Sequence, residues 1–539
     1  MKISYFGSSV NIINSLFCKI YLFKGKTYSF DIQWKNKLYF FKKIESKIET
    51  QEFFNIHQVS ADMAKEYIDS KYNKNISKLI KPYYYNEYAK KIVTLLSSYS
   101  DYLNLNISKK CKFYVFEDNN LLDFLKSKGY LKDDSIINIS SNIHYIVKPI
   151  IFLIQLVVMS SAIFYLRFKK VNKPRNIFFQ DINSFFEKKN LFPISQDIKK
   201  NISYWSYDIQ DKAENIFIRK NRIYGLENLF KYYKLFYKFS FIYDDVNLHL
   251  LVSGFKYVSL NSQFDFDIYW SRTDVTHAVE RYVLAEYNRK NIVITWSDLI
   301  NNLVISQFIN HNYLFVWSEY VVKHHYRYND CEKVFISGSP LLNKKVDNKS
   351  INIEKNILIT FNSFNVQTPT HKDKDFENFL IFLEKCINNL VKMDLKFKGK
   401  SDISIKYYRE VLFGSSLDRF NKLIKNNTIV NNNENISTAL YKYDTVISFG
   451  PSSASSLAIL ERKKAYYFTN GMYKGSPVYK YKDILWFDDP STMYKVLIED
   501  KYRFTLDKKD ISKIAVDIDS IDLINKSIIS IINDFKEIK

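Results

Sequence analysis

The segment with the clearest chemical potential is Asp444 to Glu461, DTVISFGPSSASSLAILE. Its first part, Thr445 to Phe449, is a continuous apolar run of the kind that forms a buried strand. Gly450 and Pro451 follow as a tight turn, and Ser452, Ser453, Ser455 and Ser456 crowd the start of a helix at Ala454 to Leu460. Free N–H groups and the dipole of such a helix start favour an anion, and small hydroxyl side chains let a phosphate approach closely. Glu461, near the end of that helix, carries a carboxylate able to accept hydrogen bonds from ribose hydroxyls. The same pattern also fits a plain serine-capped helix followed by a surface glutamate.

Other residues could supply a base and further phosphate contacts. Asp274, His277 and Glu280 lie at i, i+3 and i+6 in RTDVTHAVE, directly after an apolar run ending at Trp270. Activating a sugar hydroxyl needs a carboxylate or imidazole at such a place. Asp181, after Ile177 to Phe179, is a rival, and each of the four also reads as an ordinary polar helix start or loop. Lys398 and Lys400, in LKFKGK, follow another strand-like run and would neutralise a phosphate. Asn362 and Ser363 stand after Asn356 to Phe361 and join the donor-binding set. So do Gly338 and Ser339, in the loop SGSP that ends Trp317 to Leu342. His324 and His325 are adjacent, so on a helix they point about 100° apart, which is poor metal geometry. No Cys or His spacing suits a metal, and none is expected; Asp488-Asp489 in WFDDPS reads as a turn and helix start.

These residues need a scaffold that presents strand ends to a ligand. The chain has 539 residues, more than one hydrophobic core usually serves, so two or more domains are expected. Before Lys345, short apolar runs alternate with amphipathic stretches: Lys112 to Phe116, Asn176 to Phe179, Phe266 to Trp270, Asn291 to Ile294, Tyr313 to Trp317 and Lys333 to Ile336. After a polar stretch, Asn343 to Lys355, the pattern restarts with runs at Asn356 to Phe361, Asp394 to Phe397, Thr428 to Val430, Thr445 to Phe449 and Ala465 to Phe468. Continuous apolar runs separated by helices predict parallel sheets covered on both faces. The expected fold is α/β, with two Rossmann-like domains facing a cleft: 1–345 on the acceptor side, 346–517 on the donor side, and a helix over 518–539. Ligands in such sheets sit at the C-terminal strand ends.

The formal net charge is +22, which calls for anionic partners. Lysine is spread along the chain, and the aromatics fall in apolar runs instead of interleaving with arginine, so nucleic acid is not expected. Four scattered cysteines suit a reducing compartment. Lys2 to Phe6 reads as a buried strand, not a secretory signal. Pro149 to Leu166 is an uncharged run, flanked by Lys148 and by Arg167, Lys169 and Lys170. It is at the lower limit for a span, and it fits an interfacial segment against anionic head groups, with a buried core helix as the other reading. The expected location is cytoplasmic, peripheral or monotopic at the inner membrane.

The run from Trp317-Ser318-Glu319 to Ser337-Gly338-Ser339-Pro340, then Asn356 to Phe361, then Ser448-Phe449-Gly450-Pro451-Ser452-Ser453 with Glu461, resembles bacterial surface-polysaccharide glycosyltransferases of the GT-B fold, of capsule and lipopolysaccharide type. The likeness covers roughly residues 265–500. It implies that Ser452 and Ser453 hold the donor phosphate and Glu461 the ribose. It also implies a metal-independent reaction with no bound cofactor, using a CMP-linked ulosonic acid such as Kdo or sialic acid, or a UDP- or GDP-hexose, as donor. The acceptor would be a surface glycan or lipid-linked glycan at the inner-leaflet anionic membrane surface. Where many relatives carry His-Gly or His-Pro pairs, this chain has Thr295-Trp296-Ser297-Asp298 and Phe397-Lys398-Gly399-Lys400. The alternatives are a CDP-polyol phosphotransferase of teichoic-acid type and a non-catalytic glycan-assembly protein.

Overall fold

A computed structural model describes residues 2–6, 25–29, 42–43, 48–72, 76–104, 112–115, 117–132, 136–138, 140–168, 177–181, 203–207, 222–241, 245–271, 278–295, 308–342, 357–361, 373–388, 393–397, 419–420, 422, 429–431, 440, 443, 445–450, 452–499, 506–517 and 519–538. The expected linker, 343–355, lies outside them. Three larger sheets are present, and every pairing within them is parallel.

The first sheet comprises β1 (Lys2–Phe6), β2 (Gly25–Ser29), β3 (Lys42–Lys43), β4 (Lys112–Val115) and β5 (Ile136–Asn138), in the order β3-β2-β1-β4-β5. The second comprises β6 (Ile177–Asp181), β7 (Ser203–Tyr207), β8 (Ile268–Ser271), β9 (Lys290–Ile294), β10 (Tyr313–Val316) and β11 (Lys333–Ile336), in the order β11-β10-β9-β8-β6-β7. Residues 1–345, read from sequence as one Rossmann-like unit, thus carry two separate sheets. The third comprises β12 (Ile357–Phe361), β13 (Met393–Phe397), β14 (Ile429–Asn431), β15 (Thr445–Phe449), β16 (Lys464–Phe468) and β17 (Trp486–Phe487), in the order β14-β13-β12-β15-β16-β17.

Burial explains the composition of these strands. All five residues of β15 are buried, as expected where helices cover both faces. In the second sheet, Ile268, Trp270, Ile292 and Ile294 share one face with the period-two spacing of a strand. They pack against Ile524, Ile528, Ile531 and Ile532 of the C-terminal helix Ser520–Ile538. That helix therefore returns from the end of the chain to the second sheet. Helices α1 (Thr50–Tyr72) and α2 (Lys81–Asn104) form an antiparallel pair, and their tyrosines share one apolar cluster with parts of both N-terminal sheets' helices.

The uncharged run at 149–166 lies largely within α3 (Ser140–Phe164). Among the described residues, no helix is long and apolar enough to cross a membrane. Gln155, Val158, Met159 and Ala162 are buried, so one side of α3 belongs to the protein core.

Trp317, at the end of β10, ties the second sheet to the third. It is fully buried in a cluster with Leu358, Tyr443, Val446, Leu457 and Ile514, and its Nε1 donates to the Thr295 carbonyl at 3.0 Å. Its own carbonyl accepts from Val516 N at 3.0 Å, and Ser318 Oγ donates to the Lys513 carbonyl at 2.5 Å. We expect Trp317→Ala to cost about 3–5 kcal/mol, read as a lowered urea midpoint.

His57 on α1 is 4% exposed, packs at a tilt against the Phe53 ring, and has no hydrogen-bond partner for either ring nitrogen among the described residues. Burial pushes its pKa down to about 3. A depressed histidine is neutral in the fold but takes up a proton in the unfolded chain below about pH 6.5, so stability falls as pH drops through that value. Between pH 7.5 and 5, wild type should lose about 2 kcal/mol more than His57→Leu, measured by denaturant titration at each pH. Equal losses would contradict this.

Candidate active site at the strand ends

Register aligns the C-terminal ends of three strands of the third sheet. Phe361 pairs with both Phe397 and Phe449, so β12, β13 and β15 end in one row. Asn362 and Ser363 follow the first of these in sequence, Lys398 and Lys400 the second, and Gly450 the third. The first four lie outside the described residues.

The turn after β15 needs its glycine. Gly450 has φ +75°, a left-handed conformation costly for other residues, and its N–H donates to the Phe468 carbonyl at 2.8 Å. Ser452 then adopts extended backbone (φ −147°, ψ 137°) and caps helix α4 (Ser453–Leu460), its Oγ accepting from Ala454 N at 3.2 Å. Ser453 is half-buried at the first helical position. Here the start of α4 sets its dipole and its first-turn N–H groups at the C-terminal edge of the sheet.

The other serines turn inward. Ser455 is fully buried, 2.6 Å from Ser448 Oγ, and donates to the Tyr466 carbonyl at 3.1 Å; Ser448 Oγ is in turn 2.8 Å from Thr360 Oγ1. Ser456 Oγ lies 2.8 Å from the Tyr467 hydroxyl. Ser455, read from sequence as a donor contact, is instead part of a hydroxyl chain that locks α4 to β12, β15 and β16. Glu461 stands where the sequence places it, at the end of the helix. It is the C-cap of α4, about 12 Å along the axis from the serine turn at 1.5 Å per residue, because α4 runs back toward the start of β16. The structure does not bring Glu461 to Ser452.

On the second sheet, β6 and β8 end together. Trp270 pairs with Gln180, so one step further Ser271 stands beside Asp181. Asp274 and His277 leave from this same edge in sequence, outside the described residues. Glu280 does not project from the edge. It is 1% exposed and accepts from Ser271 Oγ and from Asn291 Nδ2 at 2.7 Å. Tyr269 pairs with Asn291 and Ser271 with Val293, so these residues share one sheet face and Glu280 is packed against it. Asn291 continues to His311 Nδ1 at 3.0 Å, and its backbone and side chain exchange bonds with Asn312 at 3.0 and 2.9 Å. Glu280 belongs to a buried structural network, not to a surface where a substrate could give up a proton.

Gly338 (φ +72°) and Ser339 follow β11. Ser339 is 1% exposed, and its Oγ accepts from Leu341 N at 3.3 Å, closing a turn whose Leu341 and Leu342 pack beside Trp317. They form a junction between the second and third sheets. His325 is buried and His324 stacks on Tyr320 with ring centroids 4.2 Å apart. Among the described residues, no group of three His, Cys, Asp or Glu is arranged to hold a metal.

Sequence reading missed the loop after β16, Thr469 to Gly475. It begins beside the Gly450 turn, and two other segments hold it, α1 and the helix at Glu319–His324. Thr50 Oγ1 donates to the Asn470 carbonyl at 2.5 Å, Gln58 Nε2 to the Tyr473 hydroxyl at 2.5 Å, and Lys474 N to Gln51 Oε1 at 3.3 Å. Phe54 meets the Tyr473 ring edge-on, and Tyr320 Oη donates to the Gly475 carbonyl. The available signal was the Asn470-Gly471 turn pair, with Gly475 nearby, in a chain with only 11 glycines.

No protein-family model matches the chain, and no curated protein matches it by sequence. Some solved structures are similar to this chain at low identity. UDP-GlcNAc 2-epimerase of Methanocaldococcus jannaschii, solved with UDP-GlcNAc and UDP, is 13% identical, with 66% of this chain and 99% of that one covered and a TM-score of 0.41. MurG of Acinetobacter baumannii is 9% identical, with 66% and 100% covered and a TM-score of 0.33. The wall teichoic acid polymerase TagF is 13% identical, with 72% and 97% covered and a TM-score of 0.37.

The hydroxyl chain makes a direct test of which serines are structural. Ser455→Val should cost about 1–3 kcal/mol, the usual penalty for stranding buried partners; a thermal midpoint equal to wild type would contradict the assignment.

Proposed function

We propose that this protein is a nucleotide-sugar-dependent glycosyltransferase of two-domain GT-B type, the donor domain being residues 346–517 and the acceptor side 1–345. The observation that carries the reading is the row of strand ends at Phe361, Phe397 and Phe449, completed by the Gly450 turn and the Ser452-capped helix start. A diphosphate or phosphate there would meet first-turn N–H groups, with Ser453, Asn362, Ser363, Lys398 and Lys400 supplying further donors and positive charge. These groups would stabilise charge on the departing phosphate as the glycosidic bond breaks. The base that takes the acceptor hydroxyl proton would come from the facing edge, where Asp181, Asp274 and His277 are the candidates.

The donor class we favour is a CMP-linked sugar, because the turn offers one helix start and paired serines, a match for a single phosphate; UDP- and GDP-hexoses are the competing donors. The acceptor is a surface glycan or its lipid-linked precursor, reached from the cytoplasmic face of the inner membrane. The phosphate contacts proposed here lie at the start of α4 and do not include Glu461, which caps its far end.

Thermal shift against CMP, CDP, UDP, GDP and ADP tests the donor site. Binding at 100 times the dissociation constant should add about 2.7 kcal/mol of stability. Ser453→Asp gives the discriminating variant. A carboxylate at a helix start stabilises the helix by about 0.3–1 kcal/mol but repels a phosphate, so the midpoint should hold or rise while the nucleotide shift disappears. Glu461→Ala should keep the shift. No shift in wild type with any nucleotide, or an unchanged shift in Ser453→Asp, overturns the donor-site assignment.

A further inference from the structure

The end of α3 and the helix at Leu226–Phe236 lie side by side and antiparallel. The two-residue strand Leu166–Arg167, directly after α3, pairs with Ile223–Tyr224, directly before the second helix. Gly225 N donates to the Arg167 carbonyl at 2.8 Å, and Tyr233 Oη donates to the Met159 carbonyl at 3.1 Å. The inner faces are conventional: Val158, Met159 and Ala162 on one helix and Leu229, Tyr232 and Phe236 on the other are buried in the same cluster.

The outer faces are not. A helix packed on a core normally turns polar residues to water. Here Val157 and Phe164 are 64% and 77% exposed, Leu226 and Phe230 50% and 67%, and Phe168 and Tyr237 76% and 58%. Val157 and Phe164 are seven apart, and Leu226, Phe230 and Tyr237 are four and seven apart, so each set forms one stripe along its helix. The ties at Arg167–Gly225 and Met159–Tyr233, with the shared buried cluster, make the two stripes parts of one helix-pair unit. An apolar surface continuous over two elements marks an interaction site more often than scattered exposed residues do. The rim is mainly cationic. Arg167 and Lys238 are exposed, Lys234 pairs with Glu286 at 2.7 Å, and Lys231 pairs with Glu227 at 2.9 Å.

We infer that this two-helix face is a membrane-docking surface for an anionic bilayer, lying in the head-group layer without crossing it. Its buried inner side belongs to the protein core, which fixes the orientation. Aromatic and aliphatic side chains reach the acyl boundary while Arg167 and Lys238 meet anionic head groups, the arrangement of interfacial helices. The overall charge of +22 adds attraction in the same direction. The uncharged run at 149–166 is thus half of the surface, and Leu226–Phe236 supplies the other half. In the glycosyltransferase reading, on which only the purpose of docking rests, this face would hold the enzyme beside a lipid-linked acceptor.

The test is co-sedimentation of the full chain with phosphatidylcholine vesicles and with vesicles of equal phosphatidylcholine and phosphatidylglycerol. Wild type should pellet with the anionic vesicles. The pair Phe164→Ser and Phe230→Ser should weaken that partition at least about tenfold with the thermal midpoint retained, since both side chains already face water. The pair Arg167→Glu and Lys238→Glu should remove the preference for anionic lipid. Wild type remaining in the supernatant, serine variants binding as wild type does, or a wild-type dimer that the serine variants dissociate would each overturn the inference. The nucleotide shift, measured on the same variants, separates failure of docking from failure of the donor site.

Discussion

Burial of Trp317 in a core built largely by another sheet fixes how the two halves of the candidate site meet. The indole stands at the end of β10, where the second sheet turns its C-terminal edge toward the third. Its Nε1 is satisfied by Thr295 of the second sheet, and its backbone carbonyl accepts from Val516 beyond the third. A ring this large, fully enclosed, contributes several kcal/mol and tolerates little displacement. The turn at Ser339 to Leu342 packs beside it, so the chain leaves the second sheet at the place where the third is gripped. The C-terminal helix then returns to cover the second sheet, a second tie between the same units.

Within the third sheet, polar side chains do structural and chemical work at different depths. Thr360, Ser448 and Ser455 satisfy one another beneath α4, which spares them the cost of unpaired burial and seats the helix firmly. With the helix held from below, Ser452 and Ser453 stand at its start on the sheet edge, the place where the proposed reading seats a phosphate. The loop after β16 extends this edge, and α1 pins it through Thr50, Gln51, Phe54 and Gln58. An element from the first part of the chain therefore stands against this edge of the third sheet.

Much of the strand framework was legible from sequence, because parallel strands buried on both faces are nearly continuous apolar runs. Thr445 to Phe449 and Asn291 to Ile294 are clear cases, and the positive-φ turn at Gly450 was marked by its glycine. Partition of the N-terminal half into two sheets was not legible, since strand pairing across more than a hundred residues leaves no local trace. The direction of each hydroxyl in SSASS was equally hidden: neighbouring positions on a helix differ by about 100°, so Ser453 faces the edge while Ser455 and Ser456 face the core. Glu461 was legible as the residue at the end of that helix, where the structure has it as the C-cap. Glu280 misled because its helical spacing with Asp274 and His277 does not say which face the sheet covers.

The central claim is that one sheet edge of the C-terminal unit binds the donor nucleotide through the start of α4. Amide hydrogen exchange of the full chain with and without the nucleotide that shifts its melting reads this directly, because bound phosphate protects the N–H groups it contacts. The account predicts slowed exchange confined to peptides covering 449–456 and the adjoining strand-end loops, with no change at 458–464, where Glu461 lies. Protection centred on 458–464, or on the second sheet alone, would contradict it.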